Sequence, residues 1–370
     1  MSAVKPDICV IGLGYIGLPT ASIFATQGFQ VLGVDTNARV VETVNRGDIH
    51  IEEPGLRTMV KAGVHSGQLR AASAPENAKT YIIAVPTPCV VHREDHRSSD
   101  MRMVEGAVDA LLKVIQKGEL VILESTSPPE TTRKLVAAPL EAAGFVIGED
   151  VFVAHCPERV LPGNIMRELT HNDRIIGGMT PECAERAAKL YETFVEGKVH
   201  RTDATTAELA KLMENTYRDV NIALANELAN ICDHLGSSAA DVIRLANCHP
   251  RVNIHQPGPG VGGHCLPLDP WFIIESAPEQ TALIRNARLL NQRVPDYLTE
   301  QVKHALSAQK DPQIALFGVA YKGNVDDGRE SPGLDFARLF AEKSVAARIY
   351  DPHVHQFEYE LVGLEDSVRG

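Results

Sequence analysis

The stretch from residue 7 to residue 35 limits the fold more than any other. Residues 7–13 (DICVIGL) form an apolar run with strand character. The turn Gly12-Leu13-Gly14-Tyr15-Ile16-Gly17 follows, then an apolar helix through Ala25, then a strand at 31–35 (VLGVD) that ends on Asp35. Each glycine of such a turn has its own reason. The first permits the tight turn, the second lets a pyrophosphate approach the backbone, and the third lets helix and strand pack closely. An acid at the end of the second strand accepts from ribose hydroxyls, which favours NAD over NADP. The segment implies a Rossmann-type domain with Gly12, Gly14, Gly17 and Asp35 in a dinucleotide site. The competing reading is a glycine-rich turn in a Rossmann-like domain that binds another ligand.

The strand–helix alternation continues. Helices are expected at 37–46, 53–62, about 102–117, 130–143 and 181–195, and strands at 81–85, 120–124, 151–155, 174–178 and near 199–202. This is a doubly wound parallel sheet, in which ligands bind beyond the carboxyl ends of the strands. The clusters PTP (86–88), STSP (125–128) and CPERVLPG (156–163) all follow strands at that edge. Taken singly, each is equally an ordinary turn with capping hydroxyls. The polar loop CVVHREDHRSS (89–99) carries His92 and His96. They would share a metal only on a helix, and the loop has neither apolar periodicity nor further ligands, so it reads as solvated, with no metal.

At 370 residues the chain exceeds one ordinary core, so two or three domains are expected. The net charge of -12 argues against a nucleic-acid partner. No segment has the continuous apolar length of a membrane span, and the first residues read as a strand entering a glycine turn rather than as a leader. The seven cysteines are odd in number and scattered, which implies reduced thiols, a cytoplasmic setting and no structural zinc.

From Thr205 to about Leu235 the chain lacks proline and glycine. Leu209, Leu212, Met213, Val220, Leu224, Leu228, Ile231 and Leu235 make a long apolar helical stripe of the kind that joins domains or pairs with a partner subunit. Lys211, Asn215, Arg218 and Asn221 share another row, either a plain solvent face or a functional one. A short helix at 239–246 leads through Cys248-His249-Pro250-Arg251 to Gly258-Pro-Gly-Val-Gly-Gly-His-Cys265. Asp269-Pro270 then reads as an N-cap and first-turn proline of a further helix. A cysteine just ahead of a helix N-terminus feels its positive end, which favours the thiolate; a structural thiol in a glycine turn is the alternative. A helix-rich segment at about 278–308 precedes a strand at 314–320, a helix opened by Ser331-Pro332 and a strand at 348–350. Two strands make a poor sheet, so this last unit reads as shortened. The expected domains are 1–203, 204–308 and 309–370.

The motifs VIGLGYIGLP, VPTP, ESTSP, CPERVLPG, KLMENTYRDVN, HPRVN, PGPGVGGHCLPLDPWF and AYKGNVDDGRES occur in order over residues 7 to about 352. Together they resemble the UDP-glucose/GDP-mannose dehydrogenase family, and CPERVLPG, RIIGGM and HPRVNI most resemble its UDP-N-acetyl-D-mannosamine-oxidising branch. The resemblance implies a four-electron oxidation at C6 of a UDP-sugar with two NAD+ per sugar. It implies catalytic roles for Cys265, Lys211, Asn215, Asp269 and Glu158, and NAD contacts for Tyr15, Ile16, Thr87, Thr126 and Arg329. For substrate it implies Arg159, Val160, Lys211, Asn215, Arg218, His249, Arg251, Gly262, Tyr321 and Lys322. It also implies a homodimer with the long helix at its interface, a third domain that binds UDP, and glycine where this chain has Glu130.

Overall fold

The computed structural model describes residues 5–93, 96–310 and 312–368. The chain divides into two compact units, one through Leu212 and one from Met213 onward.

In the first unit the order is β1 (Ile8–Ile11), α1 (Gly17–Thr26), β2 (Val31–Val34), α2 (Ala38–Asn45), α3 (Leu56–His65), β3 (Leu69–Ala72), β4 (Thr80–Ile83), β5 (Cys89–Arg93), β6 (His96–Ser99), α4 (Arg102–Leu111) and β7 (Leu120–Leu123). A π-helical stretch (Thr132–Ala137) running into α5 (Ala138–Ala142) follows, then β8 (Phe152–His155), α6 (Ile165–His171), β9 (Arg174–Gly178), α7 (Pro181–Tyr191), β10 (Val199–Asp203) and the long α8 (Ala204–Leu235). Eight strands form one sheet in the order β10-β9-β8-β7-β4-β1-β2-β3. The order reverses at β1, whose neighbours are β2 and β4, and this is where a doubly wound sheet opens a ligand crevice.

The central strands are wholly buried because helices cover both faces. Alternate strand residues feed two cores. Ile8, Val10, Ile82 and Ile122 pack with Leu18, Phe24, Leu56 and Tyr191. Cys9, Ile11, Ile83 and Val121 pack with Val104, Val108 and Leu140. Phe24 is fully enclosed, so Phe24→Ala would cost about 3–5 kcal/mol.

Three sequence expectations change here. The sheet is not wholly parallel: β8 and β9 run antiparallel, joined through Ala154–Gly178 and His155–Gly177. The short, part-polar β3 edge strand (LRAA) carries no alternation strong enough to read. The segment after Pro88 is not an irregular loop but the antiparallel hairpin β5–β6, with Glu94 and Asp95 outside the described residues. In the hairpin the rings of His92 and His96 lie 5.0 Å apart, and His92 Nε2 is 2.7 Å from Ser98 Oγ.

The second unit contains most of α8, then α9 (Ala239–Ala246), α10 (Asp269–Ser276), α11 (Ala282–Leu306), β11 (Gln313–Phe317), α12 (Pro332–Glu342), β12 (Ala346–Tyr350) and α13 (Leu364–Ser367). β11 and β12 are parallel, with Val319, Ala337, Ile349 and Val354 as their core. Ser331 caps α12 by accepting from the Leu334 amide at 3.0 Å, with Pro332 in the first turn, as the sequence implies.

The apolar stripe of the long helix is only partly covered within the chain, with Leu212 buried. Met213, Tyr217, Leu224, Ile231 and Leu235 are exposed, whereas Glu208, Lys211, Asp219 and Asn226 are buried. Periodicity marks an apolar face but does not say which face a fold covers.

Candidate active site

The first unit presents a dinucleotide cradle at the carboxyl edge of its sheet. Gly12 has φ +95°, and a Cβ there would stand 2.5 Å from the Ala84 carbonyl oxygen, so only glycine makes this turn. A Cβ on Gly17 would overlap the Gly12 carbonyl. Gly14 has nothing within 4 Å of where its Cβ would be, which leaves room for a phosphate to approach the amides. The Asp35 carboxylate is held beside the turn. It accepts from the Leu13 amide at 3.1 Å and the Asn37 amide at 2.8 Å. Tyr15 is half exposed beside it. Across the crevice Thr87 Oγ1 donates to the Thr126 carbonyl at 2.6 Å, and Ser125 Oγ to the Val85 carbonyl at 2.7 Å. These bonds tie the loops after β4 and β7 into one rim. The residues present fit a dinucleotide.

The loop after β8 places Glu158 in a buried charged cluster. Glu158 Oε1 accepts from the Arg159 amide at 2.5 Å, while Oε2 is buried with no hydrogen-bond partner among the described residues. Burial raises its pKa, and the charges of Arg174 and Lys211 oppose that rise. Lys211 is 6% exposed. Burial and the Lys211 charge together push the His155 imidazole down to about 3, so it is neutral at pH 7. Arg159 Nη1 donates to the Asp173 carbonyl at 2.9 Å, and Val160 is half-buried beside it.

Beneath Glu158 lies a group of residues that motif reading did not select. Tyr191 OH donates to Glu124 Oε1 at 2.6 Å, and Thr20 Oγ1, on the helix behind the glycine turn, to Glu124 Oε2 at 3.3 Å. The Arg174 guanidinium sits 5.0 Å from the Tyr191 ring centroid. Burial raises Glu124 to about 7 and Cys156 to about 12. The sequence signals were the acid in ESTSP, which strand periodicity assigns to a strand end, and the first residues of CPERVLPG and RIIGGM, to which no role was attached.

Glu130 explains its own departure from the expected glycine. Its φ is +72°, a left-handed conformation that glycine adopts freely. Glu208 on α8 accepts from the Glu130 amide at 2.6 Å and from the Thr132 amide at 2.7 Å and hydroxyl at 2.6 Å. The turn is thus held from outside, and the Glu130 side chain pairs with Lys134.

The second unit builds the thiol loop. Cys265 is exposed, and its carbonyl accepts from the Leu268 amide at 3.0 Å and the Asp269 amide at 2.9 Å. Asp269 is not the expected N-cap. It is the first residue of α10, one position after the N-cap Leu268, and it is buried. Its carboxylate instead accepts from Asn215 Nδ2 at 2.6 Å. The 321–332 segment covers the other side of the loop. The Gly263 amide donates to the Glu330 carbonyl at 3.0 Å, and a Cβ on Gly263 would stand 3.0 Å from the Tyr321 ring. A Cβ on Gly262 would come within 2.7 Å of the Glu330 carbonyl oxygen. His264 Nε2 lies 2.9 Å from Asp327 Oδ2, and Arg329 holds the same carboxylate through both its Nε and Nη2 at 2.9 and 2.7 Å. Arg329 depresses the Asp327 pKa well below the usual carboxylate range.

The structure therefore joins Asn215, Asp269, Cys265, Gly262, Tyr321 and Arg329 through their own or adjoining residues. Arg218, His249, Arg251 and Lys322 occupy exposed positions.

A glycine turn at a topological switch point with an acid after the second strand defines a dinucleotide-dependent enzyme of the Rossmann class. The chain belongs to the UDP-glucose/GDP-mannose dehydrogenase family of NAD-dependent nucleotide-sugar dehydrogenases: the family's NAD binding domain matches residues 6–195, its central domain 205–293 and its UDP binding domain 315–368. A UDP-N-acetyl-D-mannosamine dehydrogenase of Methanococcus vannielii is 50% identical over 98% of this chain and 83% of its own. The Escherichia coli K12 protein of that name is 50% identical over 96% and 88%. Among solved structures, the UDP-N-acetyl-mannosamine dehydrogenase of S. aureus is similar with TM-score 0.91 and 48% identity, over 98% of this chain and 86% of its own.

Proposed function

We propose that this chain oxidises C6 of UDP-N-acetyl-D-mannosamine to the carboxylate, with Cys265 carrying the sugar between the two oxidations. The observation that carries the reading is the thiol loop: an exposed cysteine stands four residues ahead of a buried Asp269 that Asn215 grips at 2.6 Å. The relatives named for this substrate support the choice of sugar.

Gly12, Gly14, Gly17 and Asp35, with Tyr15, Ile16, Thr87 and Thr126 around them, would hold NAD, and Arg329 is a further contact. Bound NAD+ supplies the acceptor for each of the two hydrides that leave C6. Lys211 takes the hydroxyl proton of the substrate and then faces the oxyanion, with Asn215 as a second donor. The Cys265 thiolate adds to the aldehyde carbon and makes a thiohemiacetal, which keeps the intermediate while the cofactor exchanges. After the second oxidation the bond is a thioester. Water, ordered by Asp269 and Glu158, cleaves it to the acid and restores the thiol. The sum is one alcohol, two NAD+ and one water giving one carboxylate, two NADH and three protons. Arg159, Val160, Arg218, His249, Arg251, Gly262, Tyr321 and Lys322 would hold sugar and diphosphate.

We assign residues 1–203 to cofactor binding, 204–308 to the catalytic helices and 309–370 to UDP binding, and place the protein in the cytoplasm. The apolar face of α8 (Met213, Tyr217, Leu224, Ile231) is the surface through which the chain would form a homodimer. Sedimentation should give twice the monomer mass, and Leu224→Glu should halve it.

The deciding assay is NADH formation with a panel of nucleotide sugars. Two NADH per UDP-N-acetyl-D-mannosamine supports the reading; preference for UDP-GlcNAc, UDP-glucose or GDP-mannose moves the substrate. An N-acetylgalactosamine sugar belongs in the panel, because a Ralstonia nicotianae relative named NDP-N-acetyl-D-galactosaminuronic acid dehydrogenase is 49% identical. NAD+ binding with no turnover on any sugar would mark a non-catalytic remnant.

A further inference from the structure

One face of α8 holds both ends of the thiol loop. At about 100° per residue, Asn215, Asp219 and Asn226 lie within about 40° of each other around the helix. Asn215 grips Asp269, where the loop ends. Eleven residues further on, Asn226 Oδ1 accepts from the Gly258 amide at 2.9 Å, where the loop begins. From Gly258 to Asp269 the loop has four glycines, counting Gly258 itself, which leave the backbone few side chains to fix it.

Asn226 is itself oriented. Its Nδ2 donates to Asn291 Oδ1 at 3.0 Å, and Asn291 Nδ2 donates to the Asp219 carbonyl at 2.8 Å and carboxylate at 2.9 Å. Arg288 Nη1 completes the row with a 2.5 Å bond to Asp219 Oδ1. All four side chains are at least 97% buried: Asp219 is 0% exposed, Arg288 and Asn291 1%, Asn226 3%. A buried ion pair is weak evidence for stability, since apolar residues of similar volume often do as well. A row of four that ends on a backbone amide of a glycine loop does something an apolar core cannot: it fixes a position.

We propose that Arg288, Asp219, Asn291 and Asn226 form a positioning relay that sets where the thiol loop leaves the helix face, and through it the environment of the Cys265 sulfur. The loop would then approach α10 in one conformation, with its sulfur near the helix N-terminus that favours the thiolate. These are positioning residues and touch neither sugar nor cofactor. The proposal rests on the function given above only for its consequence in turnover.

The test uses the full chain carrying Asn226→Ala, with Asn291→Ser as a second variant that cuts the relay further from the loop. Iodoacetamide alkylation of Cys265 is followed by peptide mass spectrometry across pH, with exposed Cys248 as internal control and NAD+ titration as a check on the first unit. The expected result is a Cys265 profile moved upward by about half a pH unit or more, with a smaller shift of the same sign for Asn291→Ser. Cys248 and NAD+ affinity should stay as in the unaltered protein. Superimposable Cys265 profiles would overturn the relay, and so would equal shifts at Cys248 or lost NAD+ binding, which mark general damage. In turnover with UDP-N-acetyl-D-mannosamine and semicarbazide, the variants should release trapped aldehyde and give fewer than two NADH per sugar. If the unaltered protein makes no NADH, the proposed function fails, and the alkylation profiles still decide the relay.

Discussion

Two loops of this protein each set a cysteine a few residues ahead of an acid: Cys156 before Glu158, and Cys265 before Asp269. They are built in opposite ways. Cys156 lies wholly inside the sheet unit, with Arg174 Nη1 at 3.5 Å, and burial pushes its thiol up to about 12. Cys265 stands exposed on a backbone stripped of side chains. In the first loop the acid is placed where a chemical role is possible and the sulfur is enclosed, accepting from Arg174. In the second the sulfur is presented and the acid is buried behind it. Sequence proximity to a motif therefore says little about which atom works; burial and the surrounding charges decide.

Four experiments would break or sharpen this contrast. The largest effect is expected from Cys265→Ala, which should lower complete oxidation by about 10³-fold or more while NAD+ still binds. Cys156→Ala should leave kcat within about twofold and lower stability by about 1–2 kcal/mol in urea denaturation. Activity lost equally in both would erase the distinction. Next, Lys211→Ala should reduce kcat by about 10²-fold or more with little change in NAD+ affinity, read by steady-state kinetics and fluorescence titration.

The third concerns the acids beneath the first loop. Glu124 is raised to about 7 by burial, against an ordinary value of 4.5. A carboxyl raised in the folded state contributes stability that is fully present below pH 4.5 and lost as pH rises through about 7. Glu124→Gln keeps the side chain neutral and should flatten the fall in stability between these pH values, an effect on the order of 2–3 kcal/mol in denaturation curves. An unchanged slope would show that Arg174 keeps Glu124 ionised. The smallest effect is at Glu130, whose φ of +72° strains any side chain. Glu130→Gly should raise stability by about 1 kcal/mol, a shift of about 2–4 °C in Tm, with kcat unaltered.

Much of this was legible in the residues themselves. Strand, glycine turn, helix and Asp35 fix the Rossmann unit because the spacing leaves few other ways to pack a strand against its following helix. The clusters at strand ends gave the rim, since the sheet gathers all such ends at one edge. The stripe of the long helix did not reveal that its buried face mixes apolar Leu212, Ala223 and Ala225 with polar side chains. Glu208, Asp219 and Asn226 are hydrogen-bonded by residues at 130–132, 288, 291 and 258, far away in sequence, and no local pattern announces them. Asp269 looked like a cap because Asp-Pro usually is one. Its side chain turns instead to Asn215, a choice made by tertiary structure. Tyr191 lies in no motif, and RIIGGM attached no role to Arg174, because a buried cation over an aromatic ring is invisible until the strands are assembled.

The missing side chains of the glycine turn divide heredity as well as space. At position 17 even a methyl group collides with the Gly12 carbonyl, whereas at position 14 there is open room. In a saturation library sorted first for abundance and then for cofactor capture, position 17 should be swept clean at the first gate. Position 14 should pass that gate with many residues and lose them only at the second. One turn of six residues would thus report separately on what the chain needs in order to exist and what it needs in order to act.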